Sequence, residues 1–199
     1  YNRDRVRKAL GTGGIDSWSA VFDPAIASKL AKCGIAFIDT PEDVFTAARI
    51  YLGLDANSQD LEDLAAAEAL VRRVRPFIRY FHSSQQLNDL ASGEICVSLN
   101  WSGYVIQARD RGAAAGSPVA IEYVIPKEGS LLWFDMVAIP ADAPHPGNAH
   151  AFLNYLMEPE VIARISNHIG YANGNRDSAP FLEARVRDDP AVYPPAAIR

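Results

Sequence analysis

Apolar positions along this chain fall into two rhythms. Short β-branched or aromatic runs occupy residues 34–38, 95–101, 119–125 and 131–139, each bounded by polar or Gly/Pro positions, and these predict strands. Between and after them, residues 42–52, 59–74, 83–91, 103–115 and 147–168 repeat apolar side chains at helical spacing. The helix in "TPEDVFTAARIYLG" opens with a Thr cap and a Pro in the first turn and stops at Gly53. "SSQQLNDLASGE" has the same grammar, a Ser start and a Gly stop. Strands alternating with helices predict an α/β sheet covered on both faces. "DDPAVYPPAAIR" is too rich in proline for a regular element, and no internal repeat interrupts the pattern.

Composition narrows the class. The 199 residues are 49% apolar and 22% charged, enough for a real core in a globular protein. A net charge of −5 argues against a nucleic-acid surface and for a cationic or neutral partner. No run approaches the length of a membrane span. The opening "YNRDRVRKAL" has neither a Met nor the apolar core of a signal peptide, so the chain is expected to be a piece of something longer. The two cysteines, Cys33 and Cys96, each sit in an apolar stretch that reads as a strand or strand entry. From the residues alone, buried reduced thiols and a disulfide are both open.

Few motifs carry catalytic chemistry. "GTGG" at residues 11–14 lacks the Lys-Ser/Thr of a phosphate loop and the spacing of a dinucleotide fingerprint, and reads as a turn. His82, His145, His150 and His168 show no metal-ligand spacing, and His145 and His150 read as solvated loop residues. His82 adjoins Ser83 and Ser84, but no G-x-S-x-G elbow exists, and "NWSGY" fails that pattern at its first position. An enzyme is the weakest of the readings.

A second set of residues is more coherent. Trp101 closes the run "ICVSLNW". Trp133 and Asp135 share one face of the predicted strand at 131–139, by the two-residue alternation of side chains. Tyr171 follows the last long helix, and in open α/β sheets element ends are where ligands are met. Any one of these aromatics could be core packing. A carboxylate among apolar residues is costly to bury unless a positive group meets it. Taken together, the set predicts an aromatic box for a cation: ring faces attract an ammonium and line its alkyl chain while Asp135 takes the charge.

The motifs "YFHSSQ", "NDLASGEICV", "IPKEG", "WFD" followed by "AIPADA", "AHAFLNYLMEP", "YANGN" and "VYPPAAIR" together resemble the periplasmic polyamine-binding proteins, the spermidine/putrescine-binding components of ABC importers. The resemblance implies a type II periplasmic-binding-protein fold, two α/β lobes that close on ligand by hinge motion. It implies a periplasmic protein with no cofactor, a polyamine ligand and an inner-membrane ABC permease as partners, and no nucleic acid. It also implies that Trp101 and Trp133 stack on the polyamine, that Asp135 pairs with an amino group, that Tyr171 lines the box and that Asp43 is an acidic contact. Cys33 and Cys96 match a pair that is a disulfide in the putrescine-preferring branch.

Three positions depart from the family pattern. Asp43 stands where glutamate is usual, one methylene shorter. Tyr104 stands where putrescine binders carry an aspartate, and Trp133 where they carry a phenylalanine; both changes lean toward spermidine or another longer cation. By the resemblance, residues 1–133 are the second lobe, 134–175 a segment returning to the first lobe and 176–199 a return to the second. The rest of the first lobe is not in this sequence, and half a cleft is expected to bind polyamines poorly. The competing reading is a truncated interaction or sensory module that keeps the fold without serving transport.

Overall fold

The computed structural model describes residues 1–11 and 13–195. Thr12 of the "GTGG" turn and residues 196–199 of "VYPPAAIR" lie outside the described residues. Two compact units follow one another, Tyr1–Leu131 and a second that begins at Leu132. In the first unit the order is α1 (Arg3–Leu10), α2 (Ser19–Phe22), α3 (Pro24–Leu30), β1 (Ile35–Phe37), α4 (Pro41–Tyr51), α5 (Leu61–Val74), β2 (Ile78–Phe81), α6 (Gln85–Ser92), β3 (Val97–Leu99) and α7 (Ser102–Ala114). The second holds α8 (Pro146–Leu156), α9 (Pro159–Ile169), a 3-10 segment at Arg176–Phe181 and α10 (Ala184–Arg187). No helix of the described residues is long and apolar enough to cross a membrane.

The three strands form a parallel sheet in the order β2-β1-β3. Ile35, Ala36 and Phe37 of the central strand are wholly buried, as a parallel strand covered on both faces requires. Phe37 meets Phe22 and Phe81 edge-on, with ring centroids 5.9 and 5.7 Å apart. The helices begin where the chain supplies caps. Asp23 accepts from Ala25 N at 2.8 Å ahead of α3, and Asp60 accepts from Glu62 N at 2.8 Å ahead of α5. α4 starts at Pro41 with Glu42 and Asp43 in its first turn, where the helix dipole favours negative charge.

Gly34, just before β1, is a required glycine. Its φ is +95°, and a Cβ there would stand 2.8 Å from Cζ of Arg79, whose Nη1 crosses it to reach Glu94 O at 2.7 Å. Cys33 and Cys96 flank this crossing and form a disulfide, with Cα atoms 5.4 Å apart. The bond joins the turn before β1 to the entry of β3.

Several sequence expectations change. β2 lies in a stretch given no strand, because its four residues alternate poorly and carry Arg79. α1 to α3 form in the charged opening, where capping by Asn2 and Asp23 outweighs a weak apolar pattern. Residues 119–125 make no full strand. They pair with the first residues through one bridge, Asn2 to Ile121, flanked by Arg3 N to Ala120 O and Glu122 N to Tyr1 O, each 2.9 Å. Residues 132–139 form no ladder, and Leu132, Trp133, Phe134, Met136 and Val137 are all more than half exposed. A strand exists only where a neighbour takes its backbone groups, and no described residue does so here. The single helix expected over 147–168 is two, α8 and α9. Pro159 has no N–H to continue the ladder and holds Glu158 extended, with ψ 132°.

The disulfide closes a loop with a sequence separation of 63 residues. Replacing both cysteines by alanine is expected to lower unfolding stability by about 4 kcal/mol in urea titrations. Thiol titration of denatured, unreduced protein is expected to find no free cysteine; two free thiols would contradict the bond.

Candidate functional site

Chain direction places one site without reference to any ligand. The sheet order puts β1 between β2 and β3, so the chain leaves β1 toward one side while β3 lies on the other. The crevice at the carboxyl ends of such a pair is where open α/β sheets receive ligands. After β1 the chain enters α4, whose third residue is Asp43. After β3 it passes Asn100 and Trp101 into α7, whose third residue is Tyr104.

These side chains meet. Trp101 Nε1 donates to Asp43 Oδ2 at 3.0 Å. The rings of Trp101 and Tyr104 pack edge-to-face, 5.6 Å between centroids and 70° between planes. Asp43 is 5% exposed, and its second oxygen, Oδ1, is buried with no hydrogen-bond partner among the described residues. Buried carboxylate oxygens are normally satisfied, and leaving one bare costs the desolvation of a charged group. Oδ1 is closed to solvent, so a ligand ammonium would meet it only once the side chains over it move aside.

Residues that drew little notice in the sequence hold this corner together. Asn100 Oδ1 accepts from Trp101 N at 2.8 Å, and Asn100 Nδ2 donates to Ser83 O at 3.4 Å. Ser83 Oγ in turn accepts from Asp39 N at 3.3 Å, tying the end of β1 to the turn after β2. An Asn one residue beyond a strand end was the available signal, weak because Asn is common in loops. His82 is no base for the adjacent serines: its Nδ1 accepts from Ser84 N and Gln85 N at 3.2 and 3.1 Å.

The remaining sequence candidates belong to the second unit. Trp133 is 62% exposed and Asp135 is exposed, so the apolar strand that made its carboxylate costly is not formed. Tyr171 is half-buried and follows Gly170, the left-handed residue that ends α9. The asparagines of "YANGN" explain their own presence. Asn173 donates to Ser166 Oγ and accepts from Ser178 Oγ, both at 2.9 Å, while Asn175 Nδ2 donates to Met157 O at 2.7 Å. They fix the loop that carries Tyr171. No group of three or more His, Cys, Asp or Glu side chains placed to hold a metal occurs among the described residues.

Comparison with known proteins gives the setting. A family model described as bacterial extracellular solute-binding protein matches residues 1–194. The putrescine-binding periplasmic protein PotF of Escherichia coli K12 is 46% identical over 201 residues, covering 100% of this chain and 54% of that protein. The putrescine-binding periplasmic protein SpuD of Pseudomonas aeruginosa is 43% identical over 195 residues, covering 98% of this chain and 53% of that protein. Among solved structures, a putative spermidine/putrescine ABC transporter protein from Listeria monocytogenes superimposes with a TM-score of 0.82 at 27% identity, covering 99% of this chain and 56% of that one. The chain thus spans about half the length of the curated relatives it matches. These relatives are solute-binding proteins, in line with the expectation of a binding fold and not an enzyme.

If Asp43 serves a ligand and not the fold, neutralising it should hardly disturb the empty protein. Asp43→Asn keeps an acceptor for Trp101 and gives up only the favourable charge at the start of α4. Urea unfolding without ligand is therefore expected to shift by less than about 1 kcal/mol. A loss of several kcal/mol would make Asp43 a structural residue.

Proposed function

The chain belongs to the bacterial extracellular solute-binding protein family, and on that premise we propose that it is part of a periplasmic receptor that captures a polyamine for an inner-membrane ABC importer. The observation that carries this reading is the half-satisfied carboxylate of Asp43, bonded on one oxygen by the Trp101 indole and bare on the other. A flexible dication or trication suits such a corner. One ammonium takes the free oxygen, and the methylenes that follow need apolar or aromatic cover.

In this reading Asp43, Trp101 and Tyr104 form one wall of the ligand cleft of the complete two-lobed receptor. Residues 1–133 make up the second lobe, 134–175 cross to the first and 176–199 return. Trp133, Asp135 and Tyr171 add a second stacking ring, a second carboxylate and a lining phenol. The names of the relatives, putrescine-binding and spermidine/putrescine-binding, support a polyamine as the ligand class. The uncharged Tyr104 and the indole of Trp133 lean toward a cation longer than putrescine.

Calorimetry on the complete protein, with putrescine and spermidine in turn, tests the proposal. Truncating one partner of a buried, hydrogen-bonded charge pair costs roughly 2–5 kcal/mol, so Asp43→Asn is expected to weaken polyamine binding about thirty-fold to several thousand-fold. Equal affinity of variant and parent for both amines would reject Asp43 as the ammonium partner. Tighter binding of putrescine than of spermidine would reject the preference for a longer cation.

A further inference from the structure

The turn after β2 touches the ends of both other strands, and one imidazole organises it. His82 N donates to Phe37 O at 3.0 Å, placing the residue beside the end of β1. Its Nδ1 accepts from the N–H groups of Ser84 and Gln85, which open α6. Its carbonyl accepts from Gln86 Nε2 at 2.8 Å, and the wholly buried Gln86 accepts from Ser98 Oγ of β3. Between these anchors Ser83 holds Asp39 N with its hydroxyl and Asn100 Nδ2 with its carbonyl, and Asn100 Oδ1 fixes the Trp101 N–H. A continuous run of hydrogen bonds therefore leads from the His82 ring to the residue whose indole holds Asp43.

We propose that His82 is a positioning residue for the Asp43–Trp101 site, its Nδ1 lone pair keeping the site assembled. The chemistry is in the sign of one atom. A neutral imidazole with its proton on Nε2 presents a lone pair at Nδ1, which two backbone N–H groups here require. Without that acceptor both bonds are lost. The first turn of α6 and the Ser83 carbonyl are then free to shift, and Asn100 and Trp101 with them. The carboxylates tied into this turn are Asp39, whose N–H meets the adjacent Ser83, and Asp89 of α6, which accepts from Gln85 Nε2 at 3.1 Å. Neither carboxylate is hydrogen-bonded to the imidazole among the described residues.

Because the proposal rests on the polyamine reading for its consequence but not for its geometry, the test has two arms. In the ligand-free chain, the Trp101 indole N–H resonance, assigned by its loss in Trp101→Phe, is compared between the parent, His82→Ala and His82→Asn. It is expected to shift in His82→Ala and to return to its parent position in His82→Asn, whose side-chain oxygen replaces the Nδ1 acceptor. In the complete protein, His82→Ala is expected to weaken spermidine binding at neutral pH about three- to tenfold, with His82→Asn restoring it. A resonance unmoved in His82→Ala, or moved equally in His82→Asn, overturns the proposal. So does an affinity unaltered by His82→Ala. Failure of the parent to bind any polyamine would instead reject the ligand reading, leaving the resonance arm to decide the role of His82.

Discussion

Everything in the first unit depends on β1 being buried on both faces. Three residues with no exposed surface cannot leave any backbone group unpaired, so both neighbours must be present and parallel. Parallel neighbours need crossovers, and these are α4 with α5 on one path and α6 on the other. Once the order β2-β1-β3 is set, the carboxyl ends of β1 and β3 must open toward a common crevice. Asp43 and Trp101 come together there because of topology, 58 residues apart in sequence.

The two ends of this sheet are treated differently. At the amino end, the Cys33–Cys96 disulfide and the Arg79 side chain lying over Gly34 lock the entries of β1 and β3 together. At the carboxyl end no covalent link exists, and side-chain hydrogen bonds through His82, Ser83 and Asn100 hold the loops. A rigid base with a hydrogen-bonded rim suits a binding surface. Strand ends stay in register while the loops keep polar groups that can answer a ligand. Among the described residues, Asp43 Oδ1 and Arg49 Nε, both on α4, are the buried side-chain atoms left without a hydrogen-bond partner.

Tyr80 illustrates the same division on the far side of α6. Burial, and then the 2.6 Å bond it donates to Asp89, push its phenol well above the ordinary tyrosine range, so it remains a fixed donor and never a titrating group.

Much of this protein was determined locally. The helices α4, α5, α6 and α7 follow from apolar spacing and from local start signals such as the Asp60 cap and Pro41 in the first turn of α4, which act within a few residues and need no tertiary partner. β1 and β3 were legible for the same reason, being short apolar runs with clear stops. The resemblance to polyamine-binding proteins, carried by dense motifs, named Asp43, Trp101 and Tyr104 as candidates. Only the folded chain decided which of these groups meet, because a hydrogen bond between Trp101 and Asp43 depends on strand order and on no pattern within either segment. It also decided where apolar runs are not strands. Residues 132–139 carry the side chains of one, yet a strand is a relation between two segments, and its hydrogen bonds must be supplied from elsewhere in space. Helices close their own hydrogen bonds and so can be read from a single stretch; sheets and sites borrow theirs from a distance, and that is the part the tertiary structure had to provide.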